Sequence, residues 1–302
     1  MARRETCGLV GLGNMGGRIA RRLAGGGFEV CGYDLDAAKA ERSGARVARS
    51  VAEVVEGSEV VFLSLPDSRA VEEVVRGEGG ILGACRAGQV VADLGTSAPS
   101  STRSLHAELA GRGVELVDAA ISGGAAGAEA GTLTIMAGGA ASALERIRPH
   151  LETFSARVYH MGAPGAGHVA KILNNFLNGI GLAATSEVMV AARRAGLDLE
   201  QLLEVLNHST GVNFATLNRF PSIVRGDYLE GGLTVKLMAK DVRLYLDLVR
   251  QLEVTTLAGP ACLGAFDLAA ALGYGDEISN RVVDALGDVS GGVRVHGGKE
   301  GT

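Results

Sequence analysis

Four polar residues recur on one side of an otherwise apolar helical stretch. From Gly165 the chain reads GAGHVAKILNNFLNGIGLAA, and at about 100° per residue one face collects Lys171, Asn174, Asn175 and Asn178. The other positions are largely Val, Ile, Leu and Phe, a pattern typical of a helix that is buried on all sides. Because a buried charge is unfavourable unless it is paired or used, the lysine of this polar face is a candidate catalytic group.

Lys171 is the residue of this face that can exchange a proton. A lysine removed from water has a lowered pKa, and a second cation nearby lowers that pKa further, which makes the amine a usable base near neutral pH. Lys240, in the segment LTVKLMAKDV, is a candidate for the neighbouring cation or for a cofactor contact. The alternatives are a Lys171 that extends from the helix edge into water and a solvated Lys240 paired with Asp241 or Glu230.

A glycine-rich segment near the N-terminus has the pattern GxGxxG between a predicted strand and a predicted helix. It consists of Gly11, Leu12, Gly13, Asn14, Met15 and Gly16. Glycines at these positions allow a tight turn, close approach of the backbone to a pyrophosphate and close helix-to-strand packing, and the helix N-terminus attracts the phosphates. The pattern is weak evidence in a chain with 45 glycines, and the flanking strand and helix strengthen it.

An acidic residue, Asp34, ends the second predicted strand. Its carboxylate would accept hydrogen bonds from an adenosine ribose and would repel a 2′-phosphate, so the sequence favours NAD over NADP. The alternative is that Asp34 caps the following helix. Leu65, Pro66 and Thr96 follow two further strands, and we expect them to line the cofactor, because open α/β sheets bind ligands at the carboxyl ends of their strands. A helix cap is the alternative for the hydroxyl-rich segment around Thr96.

A second glycine pair follows a strand predicted at 115–119. Ser122 precedes Gly123 and Gly124, and two glycines after a hydroxyl residue can expose backbone N–H groups to an anion. A carboxylate fits such a small neutral nest. A plain flexible turn is the alternative.

Strand and helix signals divide the chain into two halves. Short apolar runs alternate with helical stretches up to residue 161, which predicts βαβ units and a doubly wound sheet. After Gly165 only helical periodicities remain, at 166–195, 198–208, 211–224, 232–251, 258–272 and 276–287. We therefore predict an α/β fold with three segments, which are a Rossmann-type NAD-binding domain at 1–163, an all-helical substrate and dimerisation domain at 164–295 and a disordered Gly-rich tail at 296–302.

Composition argues against several classes of partner. The net charge is −5 and no basic stripe is evident, so nucleic acid is not expected to bind. No apolar run reaches the length of a membrane span and no signal peptide precedes the first strand, which together predict a cytoplasmic protein. The four cysteines lack metal-ligand spacing, so we expect no metal site. We expect the cysteines to be buried thiols in a reducing compartment.

Four motifs in order resemble the β-hydroxyacid dehydrogenase family, particularly its 3-hydroxyisobutyrate dehydrogenase-like members. They are GLGNMG at 11–16, DAAISGGAAGAEAGTLT at 118–134, GAGHVAKILNN at 165–175 and LMAKD at 237–241. The likeness covers roughly 6–287. Two departures, Ala120 where the family usually has Pro and Leu233 where many members have Phe, leave the substrate open.

The resemblance implies roles for individual residues. Lys171 matches the catalytic lysine and Asn175 the residue that orients it, with Asn174 as a second candidate. The family residues that bind the substrate carboxylate match Ser122, Gly123 and Gly124. The family residues that contact the cofactor match Thr96 and Lys240.

The implied reaction is hydride transfer between NAD and the 3-hydroxyl carbon of a short 3-hydroxy acid, catalysed by a homodimer or homotetramer. The loop 207–216, with Arg219 after it, would select the tail of the substrate. Alternatives are a reductase of tartronate or succinic semialdehyde, an imine reductase, a 6-phosphogluconate-type dehydrogenase and a non-catalytic NAD-binding scaffold. Imine reductases usually lack the lysine, and no phosphate-binding cluster for a 6-phosphogluconate is evident.

Overall fold

Two compact units, divided in sequence between Lys171 and Ile172, make up the chain. The structure is a computed structural model and describes residues 6–229 and 231–297. The first unit contains a sheet with helices, and the second is built from helices.

The first unit is organised by one mixed sheet of eight strands in the order β3-β2-β1-β4-β5-β6-β7-β8. The strands are β1 (Thr6–Val10), β2 (Glu29–Tyr33), β3 (Arg46–Val47), β4 (Val60–Leu63), β5 (Val90–Asp93), β6 (Glu115–Ser122), β7 (Leu133–Gly138) and β8 (Ser155–Gly162). Strands β1 to β6 are parallel, β7 is antiparallel to β6, and β8 is parallel to β7. The connection direction reverses beside β1, and such a switch point is where open α/β sheets bind ligands.

Helices cover the sheet and explain its apolar strands. They are α1 (Asn14–Gly25), α2 (Ala37–Arg42), α3 (Val51–Glu56), α4 (Ser68–Arg76), α5 (Ile81–Ala84), α6 (Pro99–Ala110), α7 (Gly124–Ala130) and α8 (Ala141–Leu151). Every residue of β4 and β5 is buried, as is usual for parallel strands with helices on both faces. One apolar cluster includes Phe62 and Phe154, and another includes the alternate residue Leu63 together with Leu109.

Helix α9 (Ala166–Arg194) continues across the division between the units. The later helices are α10 (Leu199–Asn207), α11 (Phe214–Asn218), α12 (Phe220–Ile223), α13 (Val235–Gln251), α14 (Ala258–Ala269) and α15 (Val282–Val289). Side chains of Asp198 and Thr234 cap α10 and α13, and Asn213 forms a capping box with Thr216 at α11. The apolar faces of the helices in the second unit form a single core that includes Phe220 and Phe266.

The predicted fold class is confirmed, with differences at weakly patterned segments. Strand β3 has two residues, too few for an alternating pattern, and the Gly-Ala sequence of α7 has no apolar periodicity. Strand β6 extends to Ser122 instead of ending at residue 119, so the hydroxyl belongs to the strand. The single helix predicted at 211–224 is divided at Arg219 into α11 and α12.

The prediction that α9 is buried on all sides is wrong. Leu173 and Leu177 are 43% and 69% exposed in this chain. An apolar periodicity marks a face that can be buried, and it does not identify the element or chain that buries it. Of the predicted disordered tail, residues 298–302 lie outside the described residues, while the ring of His296 packs 5.7 Å from that of Tyr228.

Candidate active site

The glycine-rich segment forms the turn between β1 and α1, at the switch point of the sheet. A Cβ atom on Gly16 would lie 1.9 Å from the carbonyl oxygen of Gly11, so packing within the protein requires glycine there. A Cβ on Gly13 would meet no protein atom within 4 Å. The open space beside Gly13 therefore fits the cradle that a dinucleotide pyrophosphate needs.

A cavity of about 550 Å³ adjoins this turn. Its wall includes Leu12, Gly13 and Asn14 together with four cationic side chains, which are Arg18, Arg21, Lys39 and Arg42. Sequence reasoning missed these cations, although Arg18 and Arg21 are one turn apart on α1 and so share a face. Their charge makes the cavity favourable for phosphate groups.

The carboxylate of Asp34 is joined to the glycine-rich turn. It accepts a hydrogen bond of 2.7 Å from the Leu12 N–H and one of 2.9 Å from the Asp36 N–H. The alternative that Asp34 caps α2 does not hold, because the side chain of Asp36 performs that role through Ala38 N. A carboxylate has about four acceptor positions, so Asp34 retains capacity to accept from a ribose.

The other predicted cofactor residues follow β4 and β5. Leu65 is partly buried and Pro66 is exposed after β4. Thr96 lies in the turn after β5, where Asp93 accepts hydrogen bonds of 2.8 Å from both the Gly95 N–H and the Ser97 hydroxyl. The buried Asp93 thus fixes the backbone on both sides of Thr96.

The structure assigns a defined backbone to the second glycine pair. Ser122 ends β6 opposite Thr134 of β7, and Gly123 and Gly124 have φ angles of 124° and 65°. Such positive φ values are strongly disfavoured for residues with a side chain. Both glycines are exposed and Ser122 is partly buried, so a hydroxyl and adjacent backbone groups are available to a small anion.

Strand β6 also holds the start of α9. Asp118, fully buried in that strand, accepts hydrogen bonds of 2.8 Å from the Gly165 N–H and 2.9 Å from the His168 N–H. A Cβ on Gly167 would lie 2.5 Å from the Asp118 carbonyl oxygen, so the first turn of α9 packs directly on the sheet backbone. Ser122 is four residues beyond Asp118, and Lys171 is three residues beyond His168. One strand therefore ends at Ser122 of the predicted anion-binding segment and anchors the first turn of the helix that carries Lys171.

His168 joins this anchor to the turn around Thr96. The ring is fully buried, its Nδ1 lies 2.7 Å from the Thr102 hydroxyl, and its Nε2 lies 3.5 Å from Asp93 Oδ2. Asp118 and His168 were absent from the predicted site. An acidic residue within a buried strand was the signal that could have identified Asp118.

The polar face of α9 differs in burial from one residue to the next. Lys171 and Asn178 are partly buried and Asn174 is exposed, whereas Asn175 is 5% exposed. Asn174 Nδ2 donates to Asn175 Oδ1 at 3.3 Å.

In the second unit, Asn175 and Lys240 converge on a carboxylate that sequence reasoning considered only as a partner of Lys240. Asn175 Nδ2 donates to Asp241 Oδ2 at 2.5 Å, and Lys240 Nζ lies 3.0 Å from Asp241 Oδ1. Asp241 is 1% exposed. Because a carboxylate only accepts, it fixes which end of the Asn175 carboxamide faces it.

Two family models match the chain nearly end to end. Residues 6–162 match the NAD binding domain of 6-phosphogluconate dehydrogenase, and residues 165–286 match the NAD-binding domain of NADP-dependent 3-hydroxyisobutyrate dehydrogenase. The first half is thus similar to dinucleotide-binding domains, and the second half is similar to the helical part of hydroxy acid dehydrogenases.

Individual relatives are similar over the same length. A 2-(hydroxymethyl)glutarate dehydrogenase of Eubacterium barkeri is 35% identical over 97% of this chain and 98% of its own. A 3-hydroxyisobutyrate dehydrogenase of Pseudomonas aeruginosa is 37% identical over 87% of this chain and 91% of its own. The solved 3-hydroxyisobutyrate dehydrogenase of Mycobacterium tuberculosis with L-serine is 31% identical, covers 94% of this chain and 99% of that chain, and has a TM-score of 0.84. Solved imine reductases are 17–22% identical and share the fold alone.

Proposed function

This chain belongs to the β-hydroxyacid dehydrogenase family and is an NAD-dependent oxidoreductase of short hydroxy acids, and from that premise we propose that it oxidises the 3-hydroxyl carbon of a short 3-hydroxy acid. The observation that carries this proposal is the double role of β6. Asp118 binds the backbone of α9 before Lys171, and Ser122 ends the same strand. The same rigid strand thus positions both the proposed anion-binding group and the proposed proton-transfer group.

Ser122, Gly123 and Gly124 hold the substrate carboxylate in this proposal. The hydroxyl and the backbone N–H groups of a glycine pair at positive φ suit a small anion. Fixing the carboxylate sets its distance to the reacting carbon, and this distance selects 3-hydroxy acids over 2-hydroxy acids. The relatives' names, which include a hydroxymethylglutarate and a hydroxyisobutyrate, agree with a hydroxyl on the carbon β to a carboxylate.

Lys171 takes the hydroxyl proton as the C–H bond of the same carbon gives up a hydride. The oxygen's O–H electron pair becomes the second bond of the carbonyl, and Lys171 ends with one proton more. In the reverse direction, the lysine returns that proton to the carbonyl oxygen of a semialdehyde. Asn175, held by Asp241, orients the reacting oxygen and the amine.

NAD supplies the hydride acceptor for this reaction. The turn at Gly11, Leu12, Gly13, Asn14, Met15 and Gly16 would hold the pyrophosphate, Asp34 would accept from the adenosine ribose, and Leu65, Pro66, Thr96 and Lys240 are the other proposed contacts. The fit rests on the open space beside Gly13 and on the cations of the adjoining cavity. The Asp34 carboxylate, which accepts a hydrogen bond from the Leu12 N–H, would repel the 2′-phosphate of NADP from the adenosine ribose site.

A homodimer or homotetramer is proposed from the apolar surface of α9. Leu173, Leu177 and Val188 are each at least 43% exposed and, by helical spacing, share one face. Apolar side chains that recur along an exposed helix face are typical of an interface.

Among the described residues no helix is long and apolar enough to cross a bilayer. The buried thiols of Cys7, Cys31 and Cys262 support a reducing compartment such as the cytoplasm.

A coupled assay tests the reaction. The purified chain is incubated with NAD and a panel of short 3-hydroxy acids, matched 2-hydroxy acids and, in reverse, small semialdehydes and cyclic imines with NADH. We expect turnover of 3-hydroxy acids and semialdehydes and none of 2-hydroxy acids or imines. NAD binding without oxidation of any panel member would instead support a non-catalytic scaffold, and turnover of imines would support the imine reductase alternative.

A further inference from the structure

We infer that Arg219 recognises a second carboxylate on the substrate, so that the preferred substrates are 3-hydroxy acids whose carbon 2 carries a short side chain ending in another carboxylate. The inference rests on the proposed function and specifies the substrate class for that same site. Two observations support the inference. In the described part of the chain, the guanidinium of Arg219 is hydrogen-bonded only to neutral side chains, and one of them, Asn178, belongs to the polar face of α9.

The guanidinium of Arg219 is held by three side chains without charge. Nη1 donates to Asn280 Oδ1 at 2.7 Å and to Ser279 Oγ at 3.4 Å, and Nη2 donates to Asn178 Oδ1 at 3.0 Å. Within 6–229 and 231–297, no carboxylate stands at ion-pair distance from it. Asn280 is itself buried and donates to the Tyr228 carbonyl oxygen at 2.8 Å, so the acceptor is fixed.

Neighbouring arginines of the same unit are arranged differently. Arg281 lies 2.9 Å from Asp284 and 3.0 Å from Glu277, and Arg294 pairs with Asp288. A partly buried cation normally has such a counter-ion, because desolvation of a charge is unfavourable. Burial lowers the pKa of Arg219 to about 10, so the side chain stays charged at neutral pH. Arg219 therefore offers a positive charge that an anion can neutralise.

The carboxamide of Asn178 connects Arg219 to the reaction face. Asn178 follows Lys171 by seven residues on α9, which is two helical turns and about 10 Å along the axis. The same face carries Asn175 between them. A substrate tail that extends along this face from a hydroxyl at Lys171 would approach the guanidinium, and a planar guanidinium suits a carboxylate better than a lysine does.

Phe214 adds an apolar surface beside the cation. Its ring centroid lies 5.8 Å from the Arg219 guanidinium carbon, and its side chain is 59% exposed. An exposed ring next to a charge fits a tail that is apolar along its length and anionic at its end. A one- or two-methylene tail with a terminal carboxylate has this composition.

The test compares matched substrates on the full-length enzyme. The acids are 3-hydroxypropanoates with a carboxymethyl or carboxyethyl group on carbon 2, and each is paired with the compound in which the tail carboxylate is a primary carboxamide. We expect kcat/KM for the diacid to exceed that for its amide by 10-fold or more. Arg219→Met should reduce this ratio to near one through a raised KM for the diacid, and Arg219→Lys should retain part of it.

Arg225→Met is the control, because it removes the same charge from an exposed position six residues away and should leave the ratio unchanged. Retention of the diacid preference in Arg219→Met would overturn the inference, as would its absence in the wild type. If Arg219→Met does not fold, competitive inhibition of the wild type and of Arg219→Lys decides, with glutarate expected to inhibit far more strongly than its monoamide in the wild type and by a clearly smaller margin in Arg219→Lys. Oxidation of monoacids without any preference for diacids overturns this inference alone, whereas no oxidation of any acid overturns the proposed function.

Discussion

The Asn175 carboxamide donates a 2.5 Å hydrogen bond to the buried carboxylate of Asp241. The two residues are 66 positions apart and belong to α9 and α13. The same carboxylate lies 3.0 Å from Lys240, so residues proposed to bind substrate and cofactor share one fixed anion.

Asn175→Ala should lower both stability and activity. The substitution leaves Asp241 Oδ2, in a buried position, without its donor, and an unsatisfied buried acceptor costs about 1–3 kcal/mol. Asn174→Ala is the matched control for stability, because that neighbour is exposed and its loss should change the free energy of unfolding by at most about 0.5 kcal/mol. Urea unfolding of both variants measures the difference. Equal free energies of unfolding would contradict the role given to the Asn175–Asp241 pair.

Lys171→Met should reduce kcat by at least about 100-fold while the affinity for NAD stays near that of the wild type. Methionine keeps the length of the side chain and removes the proton-transfer group. Lys236→Met is the control, because that lysine is exposed on α13 and pairs with Asp276. Steady-state rates and a fluorescence titration with NAD are the measurements. Turnover close to the wild-type rate in Lys171→Met would exclude the lysine as the base.

Sequence patterns were sufficient for the elements whose periodicity is strong. The helices predicted at 166–195 and 198–208 lie at 166–194 and 199–207 in the structure, because each has a sustained apolar periodicity. Strand β3 and helix α7 were not predictable, since neither has enough patterned residues.

The residues that support the candidate site, without belonging to its predicted set, were unpredictable for a different reason. Asp118 contacts the backbone of Gly165 from 47 positions away, and His168 contacts Thr102 from 66 positions away. Such partners are set by tertiary packing, which no local period encodes. The sequence shows three acidic residues next to apolar runs, which are Asp93, Asp118 and Asp241. It does not show their hydrogen-bond partners.

Alanine at two positions of the glycine-rich turn should separate cofactor binding from folding. Gly13→Ala adds a Cβ that meets no protein atom within 4 Å, so stability should change by less than about 1 kcal/mol while the KM for NAD rises about 10-fold or more. Gly16→Ala adds a Cβ 1.9 Å from the Gly11 carbonyl oxygen, so it should destabilise by at least about 1–3 kcal/mol.

Thermal unfolding and NAD kinetics of the two variants provide the comparison. An unchanged KM for NAD in a folded Gly13→Ala enzyme would show that the pyrophosphate does not approach that residue. A fully stable Gly16→Ala protein would contradict the close contact between the turn and α1.

Removal of the Asp118 carboxylate should destabilise the first unit and slow the reaction together. Asp118→Ala leaves the N–H groups of Gly165 and His168 without their acceptor, and two hydrogen bonds to a buried charge contribute about 3 kcal/mol or more. The start of α9 would shift, and Lys171 with it, so kcat should fall even under conditions where the variant remains folded.

Asp118→Asn should be intermediate, because a carboxamide can accept only one of the two bonds without turning its NH₂ toward a donor. Asp36→Ala is the control, since it removes an exposed helix cap with one bond and should cost about 0.5–2 kcal/mol with no loss of kcat. Denaturant unfolding with kcat measured at the same temperature tests the order. If Asp118→Ala proved no less stable than Asp36→Ala, β6 would not anchor the helix that carries Lys171 through this carboxylate.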